Sequence, residues 1–457
     1  MNSDSVKDPS TGDRLYRALW RIHFYAGLFC IPFIIWLAVT GSIYTLKPQI
    51  DAFIDRPYDG LQIEHPAPPS RQIEAALRAV PNGTLNAYEL PQTERSAARV
   101  LVGKGGDVLR VYVHPQTLEI LHVVPEDSRF ENVVSNLHGE LLLGDTGSRV
   151  VELAASWAII MILTGLYLWW PRDARGLGGV LYPRATKGRA FWRDLHAVTG
   201  AWISIFALFF LFSGLPWAVS WGALLNGAQA IASQIAIHHD WTTGSSSRTA
   251  QRAAQNTPAM PGMVEMPGMA GMPAHRRDAA TPYDAIDALV PVVAQAHLAP
   301  PVLIAPPSQA EPTWSARSDA QNRPLRETLT LDPVGSTIVK REGFAEKSIV
   351  DRIVGVGVAA HEGQLFAPIN QLLNITAAAA LILMSVSSVV MWWSRRPPQV
   401  LGAPRSLPSP HYTTAFIAAT IALGIVLPFF GISLVLVLCL ERLLLRRIPF
   451  ARAFLGL

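Results

Sequence analysis

Four long apolar segments constrain the fold of this chain more than any other feature of the sequence. They are residues 22–46, 150–170, 197–221 and 372–393, and none has a Lys or Arg at its centre. About 20 apolar residues in a helix span the ~30 Å of hydrocarbon in a bilayer. The sequence therefore predicts a membrane protein that is mainly α-helical and crosses the bilayer several times.

A fifth apolar stretch, residues 413–440, is too long for one upright helix. It contains the sequence Leu-Pro-Phe-Phe-Gly at 427–431, and a proline at this point favours a helix break. We predict a C-terminal hydrophobic hairpin over residues 412–445, with one long tilted helix as the alternative.

The composition excludes two broad classes of protein. Only 16% of the 457 residues are charged, against about 25% in soluble domains, and 50% are hydrophobic. With a net charge of +4, this balance excludes a disordered chain and a basic nucleic-acid-binding protein. The two cysteines, Cys30 and Cys439, lie in apolar segments and are too few for a disulfide framework or a cysteine metal cluster.

Lys and Arg residues near the helix ends predict the orientation, because short positively charged loops stay in the cytoplasm. Clusters precede the first helix, lie between the second and third, and follow the fourth: Arg14, Arg17, Arg21; Arg172, Arg175, Arg184, Lys187, Arg189, Arg193; and Arg395, Arg396, Arg405. The N-terminus should then be cytoplasmic, and the two long connections between helices should lie on the opposite side of the membrane.

The chain also repeats itself. The sequence Trp-Arg-Ile-His ending at His23 resembles Trp-Arg-Asp-Leu-His ending at His196, and a glycine follows each histidine by four residues. His138 and His361 begin the similar sequences His-Gly-Glu-Leu-Leu-Leu and His-Glu-Gly-Gln-Leu-Phe, and each precedes a Trp-Trp pair by thirty-one residues. We infer two copies of one unit (helix, soluble module, helix) related by a pseudo-two-fold axis along the membrane normal.

Each long connection carries the pattern of a small α+β module, one helix on an antiparallel sheet. A helical pattern at 71–80 precedes strand patterns at 84–90, 97–102, 108–114 and 118–123, and one at 283–296 precedes strands at 302–305, 313–316, 327–331 and 336–339. A turn precedes the last strand of each module, His-Pro-Gln-Thr at 114–117 and Asp-Pro-Val-Gly at 332–335.

These signals divide the chain into twelve predicted parts. In chain order they are a cytoplasmic N-terminus (1–21), a first transmembrane helix (22–46), a first module (47–137), an outer histidine segment with the second helix (138–170), a basic cytoplasmic loop (171–195), a third helix (196–221), a connection with a Met-rich insert (222–280), a second module (281–360), an outer histidine segment with the fourth helix (361–394), a cytoplasmic loop (395–411), the hairpin (412–445) and a tail (446–457).

Four of the twelve histidines occupy equivalent helix ends in the two copies. His23 and His196 lie at the predicted cytoplasmic ends of the first and third helices, and His138 and His361 precede the second and fourth helices on the opposite side. The pseudo-two-fold axis brings each pair face to face, which suits bis-imidazole ligation of a haem that carries electrons. Without a Cys-x-x-Cys-His attachment motif, two b-type haems are expected. The alternative is that each histidine is only a polar interfacial residue.

The outer pair of histidines poses a geometric difficulty. His138 precedes the apolar core of its helix by about twelve residues, roughly 18 Å if the segment is helical, and His361 is about as far out. The outer site would then lie at or just above the membrane surface, unless these segments fold back.

A Met-rich stretch lies before the second module. Its methionines recur at every third residue among Pro and Gly: Met260, Met263, Met266, Met269 and Met272. Thioethers are soft ligands that favour Cu(I), so the stretch is either a metal-capture loop or a low-complexity linker.

Common catalytic motifs are missing from the sequence. It has no Gly-rich phosphate loop, paired-glycine dinucleotide motif, His-Glu-x-x-His zinc motif or Gly-x-Ser-x-Gly elbow. Electrons entering from the cytoplasm would have to come from another protein, a quinol or a reduced flavin.

Several motifs resemble those of one family, the PepSY-associated transmembrane proteins of bacteria, often described as iron-regulated inner-membrane proteins. They are Leu-His-Gly-Glu-Leu-Leu-Leu-Gly-Asp-Thr-Gly at 137–147, Leu-Thr-Gly-Leu-Tyr-Leu-Trp-Trp-Pro-Arg at 163–172, Ala-His-Glu-Gly-Gln-Leu-Phe at 360–366, Asn370-Gln371 and the two turns. The resemblance covers about residues 14–396. It departs at His114, where an Asp is usual, and at the Met-rich insert, which is not a general family feature.

The resemblance implies a haem-containing oxidoreductase of the bacterial inner membrane that reduces ferric siderophores or related metal chelates in the periplasm for iron acquisition. We expect His23 and His196 to hold the inner haem, and His138 and His361 the outer one. One alternative is a PepSY-type periplasmic binding, sensor or protease-regulating protein without redox activity. Another is a copper-handling protein that uses the Met-rich stretch.

Overall fold

The computed structural model describes residues 11–172, 176–232, 283–308, 311–404 and 412–457. The chain forms two compact units and passes between them repeatedly. The first unit comprises Met1–Thr45, Val134–Ile237 and Pro368–Leu457, and the second comprises Leu46–Val133 and His238–Ala367. The Met-rich stretch at 260–272 lies outside the described residues.

Helices occupy most of the described residues of the first unit. In chain order the helices of the whole described chain are α1 (Thr11–Thr45), α2 (Lys47–Ile54), α3 (Pro69–Ala79), α4 (Phe130–Glu140), α5 (Gly144–Trp169), α6 (Arg189–Gly214), α7 (Val219–Ala232), α8 (Ala285–Gln295), α9 (Ile349–His361), α10 (Ile369–Arg395), α11 (Thr414–Val426), α12 (Pro428–Leu443) and α13 (Pro449–Leu455).

Among the described residues, five helices are long and apolar enough to cross a membrane. They span Gly12–Thr45, Gly144–Trp169, Arg189–Trp217, Ile369–Arg395 and Pro428–Arg447. A helix satisfies its own backbone hydrogen bonds, which is what a segment inside a bilayer requires. The protein is therefore a mainly helical, multi-pass membrane protein. The C-terminal apolar stretch is broken between α11 and α12, at Leu427-Pro428, where proline has no N–H to continue the helix.

Four of the long helices pack in a ring. Helix α1 packs against α5 and α10, and α6 packs against the same two helices. Small and polarizable side chains fill part of the space between them, including Ala26, Cys30, Ala158, Met161 and Ala207, and small residues let membrane helices approach closely. Each half of the chain thus contributes one adjacent pair of helices to the ring.

The chain turns back on itself between α4 and α5. Leu141, Leu142 and Gly144 adopt positive φ angles of 52°, 58° and 55°. Gly147 follows at the start of α5, where a Cβ atom would lie 1.6 Å from the carbonyl oxygen of Glu140. The end of α4 is thereby brought beside α1 and is not a straight extension of α5.

The second unit is built on one eight-stranded antiparallel sheet. Its strands are β1 (Thr84–Glu89), β2 (Ala98–Lys104), β3 (Asp107–Val113), β4 (Ile120–Pro125), β5 (Val302–Ala305), β6 (Trp314–Ser318), β7 (Thr328–Asp332) and β8 (Thr337–Glu342), in the order β4-β3-β2-β1-β5-β6-β7-β8. The sequence predicts two separate modules. The structure joins them, because Tyr88 and Glu89 of β1 pair with Ile304 and Leu303 of β5 and so satisfy two exposed strand edges.

Helices α3 and α8 pack together over one face of this sheet. Ile73 of α3 and Ile286 and Leu289 of α8 are fully buried in its hydrophobic core. The hydroxyl of Ser70 donates to the carboxylate of Asp287 at 2.6 Å and ties the two helices together. The two modules therefore share one core.

His114 occupies the same place in the turn of the first module as Asp332 does in the turn of the second. His114 Nδ1 accepts hydrogen bonds from the backbone N–H groups two and three residues later, at 3.2 and 3.3 Å. In the second module the carboxylate of Asp332 accepts from the equivalent N–H groups at 3.0 and 3.1 Å. The imidazole of His114 thus accepts the two backbone hydrogen bonds in the first turn that the carboxylate of Asp332 accepts in the second.

Candidate functional site

A cavity of about 540 Å³ lies in the first unit between α1, α5, α6 and α10. Sites for small molecules and cofactors commonly have volumes of about 300–1,000 Å³ and largely apolar walls. Most of the lining side chains are aliphatic or aromatic, and both His23 and His196 lie among them. The structure therefore brings the predicted inner histidines, one from each half of the chain, into one cavity.

The two imidazole rings lie close together across this cavity. Their centroids are 6.3 Å apart and their planes are inclined at 76°. Two imidazoles that bind one metal ion from opposite sides, at about 2 Å each, place their ring centroids roughly 6 Å apart. The separation of His23 and His196 suits a metal ion held between them.

A backbone carbonyl fixes the outer side of each ring. His23 Nδ1 lies 2.9 Å from the carbonyl oxygen of Met161, and His196 Nδ1 lies 3.1 Å from that of Met384. A carbonyl can only accept, so each Nδ1 must carry the proton, and Nε2 of the neutral ring keeps its lone pair. Histidines that bind metals are usually oriented in this way by a hydrogen bond from the other ring nitrogen.

A hydroxyl group accompanies each carbonyl. Thr164 Oγ1 lies 3.3 Å from His23 Nδ1, and Ser387 Oγ lies 3.4 Å from His196 Nδ1. Sequence reasoning missed both residues, although each follows an outer histidine by twenty-six positions. The repeat spacing therefore contains a signal for them, but only helix packing shows that they contact the inner histidines.

Glycines keep side chains away from the histidine rings. Gly27 and Gly200, one turn beyond the inner histidines, line the cavity. A Cβ atom at Gly200 would lie 3.2 Å from the sulfur of Met384, and one at Gly165 would lie 2.9 Å from Cε1 of His23. The missing side chains at Gly165 and Gly200 therefore let the His23 ring and the Met384 side chain pack closely against the neighbouring helices.

Aromatic and cationic side chains border the same cavity. Trp20, Trp169 and Trp392 line it, together with the guanidinium groups of Arg193 and Arg395. The guanidinium carbon of Arg395 lies 5.5 Å from the centroid of the Trp20 ring. This part of the wall can contact a planar ligand through ring faces and an anionic group through the two guanidinium groups.

The turn between α4 and α5 also determines the position of His138. Its Nδ1 lies 3.0 Å from Oγ1 of Thr40 in α1, and a Cβ atom at Gly41 would lie 3.1 Å from its Cε1 atom. The indole of Trp36 donates to the carbonyl oxygen of Leu137 at 2.9 Å. The segment folds back, so His138 lies against a membrane-spanning helix and not at the end of a straight extension.

His361 is the last residue of α9 and belongs to the second unit, whereas His138 belongs to the first. Its neighbour Glu362 accepts two hydrogen bonds from the buried guanidinium group of Arg323, at 2.8 and 3.2 Å. Burial, with a smaller contribution from the positive charge of Arg323, lowers the pKa of His361 to about 4. The ring is therefore neutral at physiological pH, which is the protonation state that a metal ligand needs.

In the part of the chain that the structure describes, no group of three or more His, Cys, Asp or Glu side chains is placed to hold a metal ion. A site that takes only two ligands from the protein, with the rest from a macrocycle, does not need such a group. The donor set of His23 and His196 fits a haem iron better than an isolated ion.

Comparison with known protein families gives a match. A family model described as the PepSY-associated TM region matches residues 20–395, a span that includes all four predicted histidine ligands. No match to a curated protein was found.

Proposed function

The chain belongs to the family of the PepSY-associated TM region, as its motifs predict, and we propose that it is a di-haem b reductase of the bacterial inner membrane. In this proposal it passes electrons across the membrane to a periplasmic ferric siderophore or another metal chelate, and so serves iron acquisition.

The observation that carries the proposal is the facing pair of imidazoles. His23 and His196 lie 6.3 Å apart between ring centroids in one cavity, and a carbonyl group holds the Nδ1 side of each ring. His23 and His196 would hold haem b, which would supply a one-electron redox couple. The chain's part is to orient both Nε2 atoms and to surround the site with apolar side chains that keep out water.

The proposed internal duplication is supported by matched contacts. Met161 and Met384 are 223 residues apart, and Thr164 and Ser387 have the same separation. Each pair makes equivalent contacts to one of the two inner histidines. The sheet order of the second unit is likewise symmetric about the pairing of β1 with β5. A pseudo-two-fold arrangement accounts for all of these observations together.

The proposal assigns a second haem to His138 and His361 on sequence spacing. The two histidines are separated by the same 223 residues, and each begins one of the two copies of the family motif. The Thr40 hydroxyl, 3.0 Å from Nδ1 of His138, orients this ring in the way that a hydrogen bond orients most metal-binding histidines.

The orientation follows from the Lys and Arg clusters, which place the inner histidines toward the cytoplasm. The electron donor is then a cytoplasmic protein, a quinol or a reduced flavin, and the acceptor is in the periplasm. One-electron reduction of Fe(III) in a chelate with hard oxygen ligands releases iron, because those ligands hold Fe(II) far more weakly. The lipid bilayer is the remaining partner.

The test is a reduced-minus-oxidised absorption spectrum of the full chain, purified in detergent from cells supplied with haem. We expect a low-spin bis-histidine spectrum with two haems per chain. His23→Ala or His196→Ala should remove one haem, and His138→Ala or His361→Ala should remove the other. Adding a ferric hydroxamate to the reduced protein should restore the oxidised spectrum.

The exposed residue His65 offers a matched control, because His65→Ala removes an imidazole outside the proposed sites and should leave both haems in place. A wild-type protein from haem-replete cells with no Soret band would contradict the proposal. That result would favour a binding, sensor or protease-regulating role without redox chemistry.

A further inference from the structure

Arg395 contributes a positive charge to the cavity wall without a carboxylate partner among the described residues. It is the last residue of α10, and its guanidinium carbon lies 5.5 Å from the ring centroids of both Trp20 and Phe24. Its Nε atom is buried and has no hydrogen-bond partner in the described ranges of the chain. Leaving a buried donor unpaired is costly, so this group is expected to meet an acceptor other than the described residues of the chain.

The other charges near this part of the wall do not provide that acceptor. Among the described lining residues the permanently charged side chains are Arg193 and Arg395, and none is Asp or Glu. Arg193 donates to Asp194 at 3.2 and 2.8 Å, and Arg184 donates to the same carboxylate at 2.6 and 3.0 Å. Among the described residues, Asp194 is thus shared by Arg184 and Arg193 and makes no ion pair with Arg395.

The equivalent arginine in the first half of the chain behaves differently. Arg172 precedes Arg395 by the repeat spacing of 223 residues. Its guanidinium donates to the carbonyl oxygen of Tyr167 at 3.2 Å and lies over the Tyr167 ring, 4.5 Å from the centroid. Arg172 is exposed and does not line the cavity. The orientation of Arg395 toward the cavity is therefore not imposed by the repeated motif.

We propose that Arg395, together with Arg193 in the wall of the same cavity, binds carboxylate groups of the molecule that occupies the cavity. This inference rests on the proposed function, in which the molecule is haem b and the carboxylates are its two propionates. No described carboxylate balances the charge of Arg395, and a guanidinium fork pairs with a carboxylate through two parallel hydrogen bonds. The rings of Trp20 and Phe24 hold the guanidinium group of Arg395 in place. Arg395 therefore selects the orientation in which the propionate edge of the macrocycle faces it.

The experiment compares haem with its dimethyl ester, which keeps the iron and the ring but lacks both carboxylate charges. The full chain carrying His361→Ala, produced under haem limitation, is titrated with each compound so that the absorbance reports the inner site. We expect this chain to bind haem on the order of ten- to a hundredfold more tightly than the ester. Adding Arg395→Leu should remove most of that preference, and Arg395→Lys should leave part of it.

Arg172→Leu is the matched control, because it removes the equivalent guanidinium outside the cavity and should keep the full preference. Equal affinity for haem and ester in the chain with Arg395 intact would overturn the inference, and this result does not depend on whether the Arg395 variants fold. A preference that survives Arg395→Leu would also overturn it. Failure of the proposed function looks different, because then neither compound would give a bis-histidine spectrum.

Discussion

At the scale of single residues, hydrogen-bond partners decide what each titratable side chain can do. A carbonyl at Nδ1 leaves His23 with a free Nε2 lone pair. In the sheet unit, Arg110 donates to the buried carboxylate of Glu126 through Nε and Nη2, at 2.9 and 3.0 Å. The Nε2 lone pair of His23 is thus available, as the proposed haem ligation requires, whereas Arg110 and Glu126 pair with each other and stabilise the fold.

The ion pair of Glu126 should make stability depend on pH. Burial alone would raise the pKa of Glu126, but the charge and hydrogen bonds of Arg110 hold it below its usual value of 4.5. The pair therefore contributes fully above that usual pKa, and its contribution is lost as the pH falls through the lower folded-state value. Glu126→Gln should lower the free energy of unfolding by about 3 kcal/mol at neutral pH.

Denaturant unfolding of the full chain between about pH 7 and pH 3 measures this effect. The Glu126→Gln variant should lose less stability on acidification than the wild type, because it lacks the carboxyl group whose protonation breaks the ion pair with Arg110. Glu119→Gln, at an exposed position, is the control and should follow the wild type. Parallel pH profiles for wild type and Glu126→Gln would show that the pair does not contribute.

At the scale of the elements, the turn between α4 and α5 determines where a predicted ligand lies. The sequence around it contains three consecutive leucines before a glycine, and leucine rarely adopts the positive φ angles of Leu141 and Leu142. Packing of Leu137 and His138 against α1 stabilises this strained backbone. The sequence-based distance of roughly 18 Å between His138 and the apolar core of α5 assumed one straight helix. It does not apply, because the chain turns back between α4 and α5.

Gly147→Ala should disrupt this turn. The new Cβ atom would lie 1.6 Å from the carbonyl oxygen of Glu140, which is backbone and cannot move aside cheaply. We expect a loss of about 3 kcal/mol in stability and a clear fall in the yield of folded protein. Fluorescence-detected size-exclusion chromatography of a tagged full chain measures that yield.

The same turn offers a control at Gly139, where a Cβ atom would meet nothing within 4 Å. Gly139→Ala should give a yield close to that of the wild type. A wild-type elution profile for Gly147→Ala would mean that the chain does not turn back at this point.

At the scale of the whole molecule, the two halves of the chain pack against each other both in the ring of four long helices and in the eight-stranded sheet. The bundle takes α1 and α5 from one half and α6 and α10 from the other. The sheet takes β1 to β4 from one half and β5 to β8 from the other, over one hydrophobic core. Because that core is shared, the two modules should unfold together and not one after the other.

Leu329→Ala tests this cooperativity. Leu329 lies in β7 of the second module and is fully buried in the shared core. The cavity left behind should cost about 3 kcal/mol, and the loss should appear in both modules. Hydrogen exchange of the full chain should show faster exchange of the β2 amides in the first module, by as much as in β7.

Val334→Ala is the control, since Val334 is 94% exposed in the turn after β7. It should leave exchange unchanged in both modules. Faster exchange confined to the second module in Leu329→Ala would mean that the modules are independent despite the pairing of β1 with β5.

The sequence by itself determined the features that depend on neighbouring residues. The lengths of the apolar segments identified four of the five helices that are long enough to cross a membrane. Length is sufficient here because an apolar segment in a bilayer must form a helix to satisfy its backbone hydrogen bonds. Alternating patterns located the strands to within a few residues, and motifs identified the family, which the family match confirms. The matched spacings also selected His23 and His196, although their ligation of haem stays a prediction.

Tertiary structure alone decided which distant groups meet. The carbonyls of Met161 and Met384 reach the inner histidines only because helices from the two halves pack in a ring. No local sequence pattern predicts the pairing of β1 with β5, the contact of His138 with α1 or the position of Arg395 in the cavity wall. Each depends on which surfaces remain unpaired after the local elements have formed, and that is a property of packing between segments far apart in the chain.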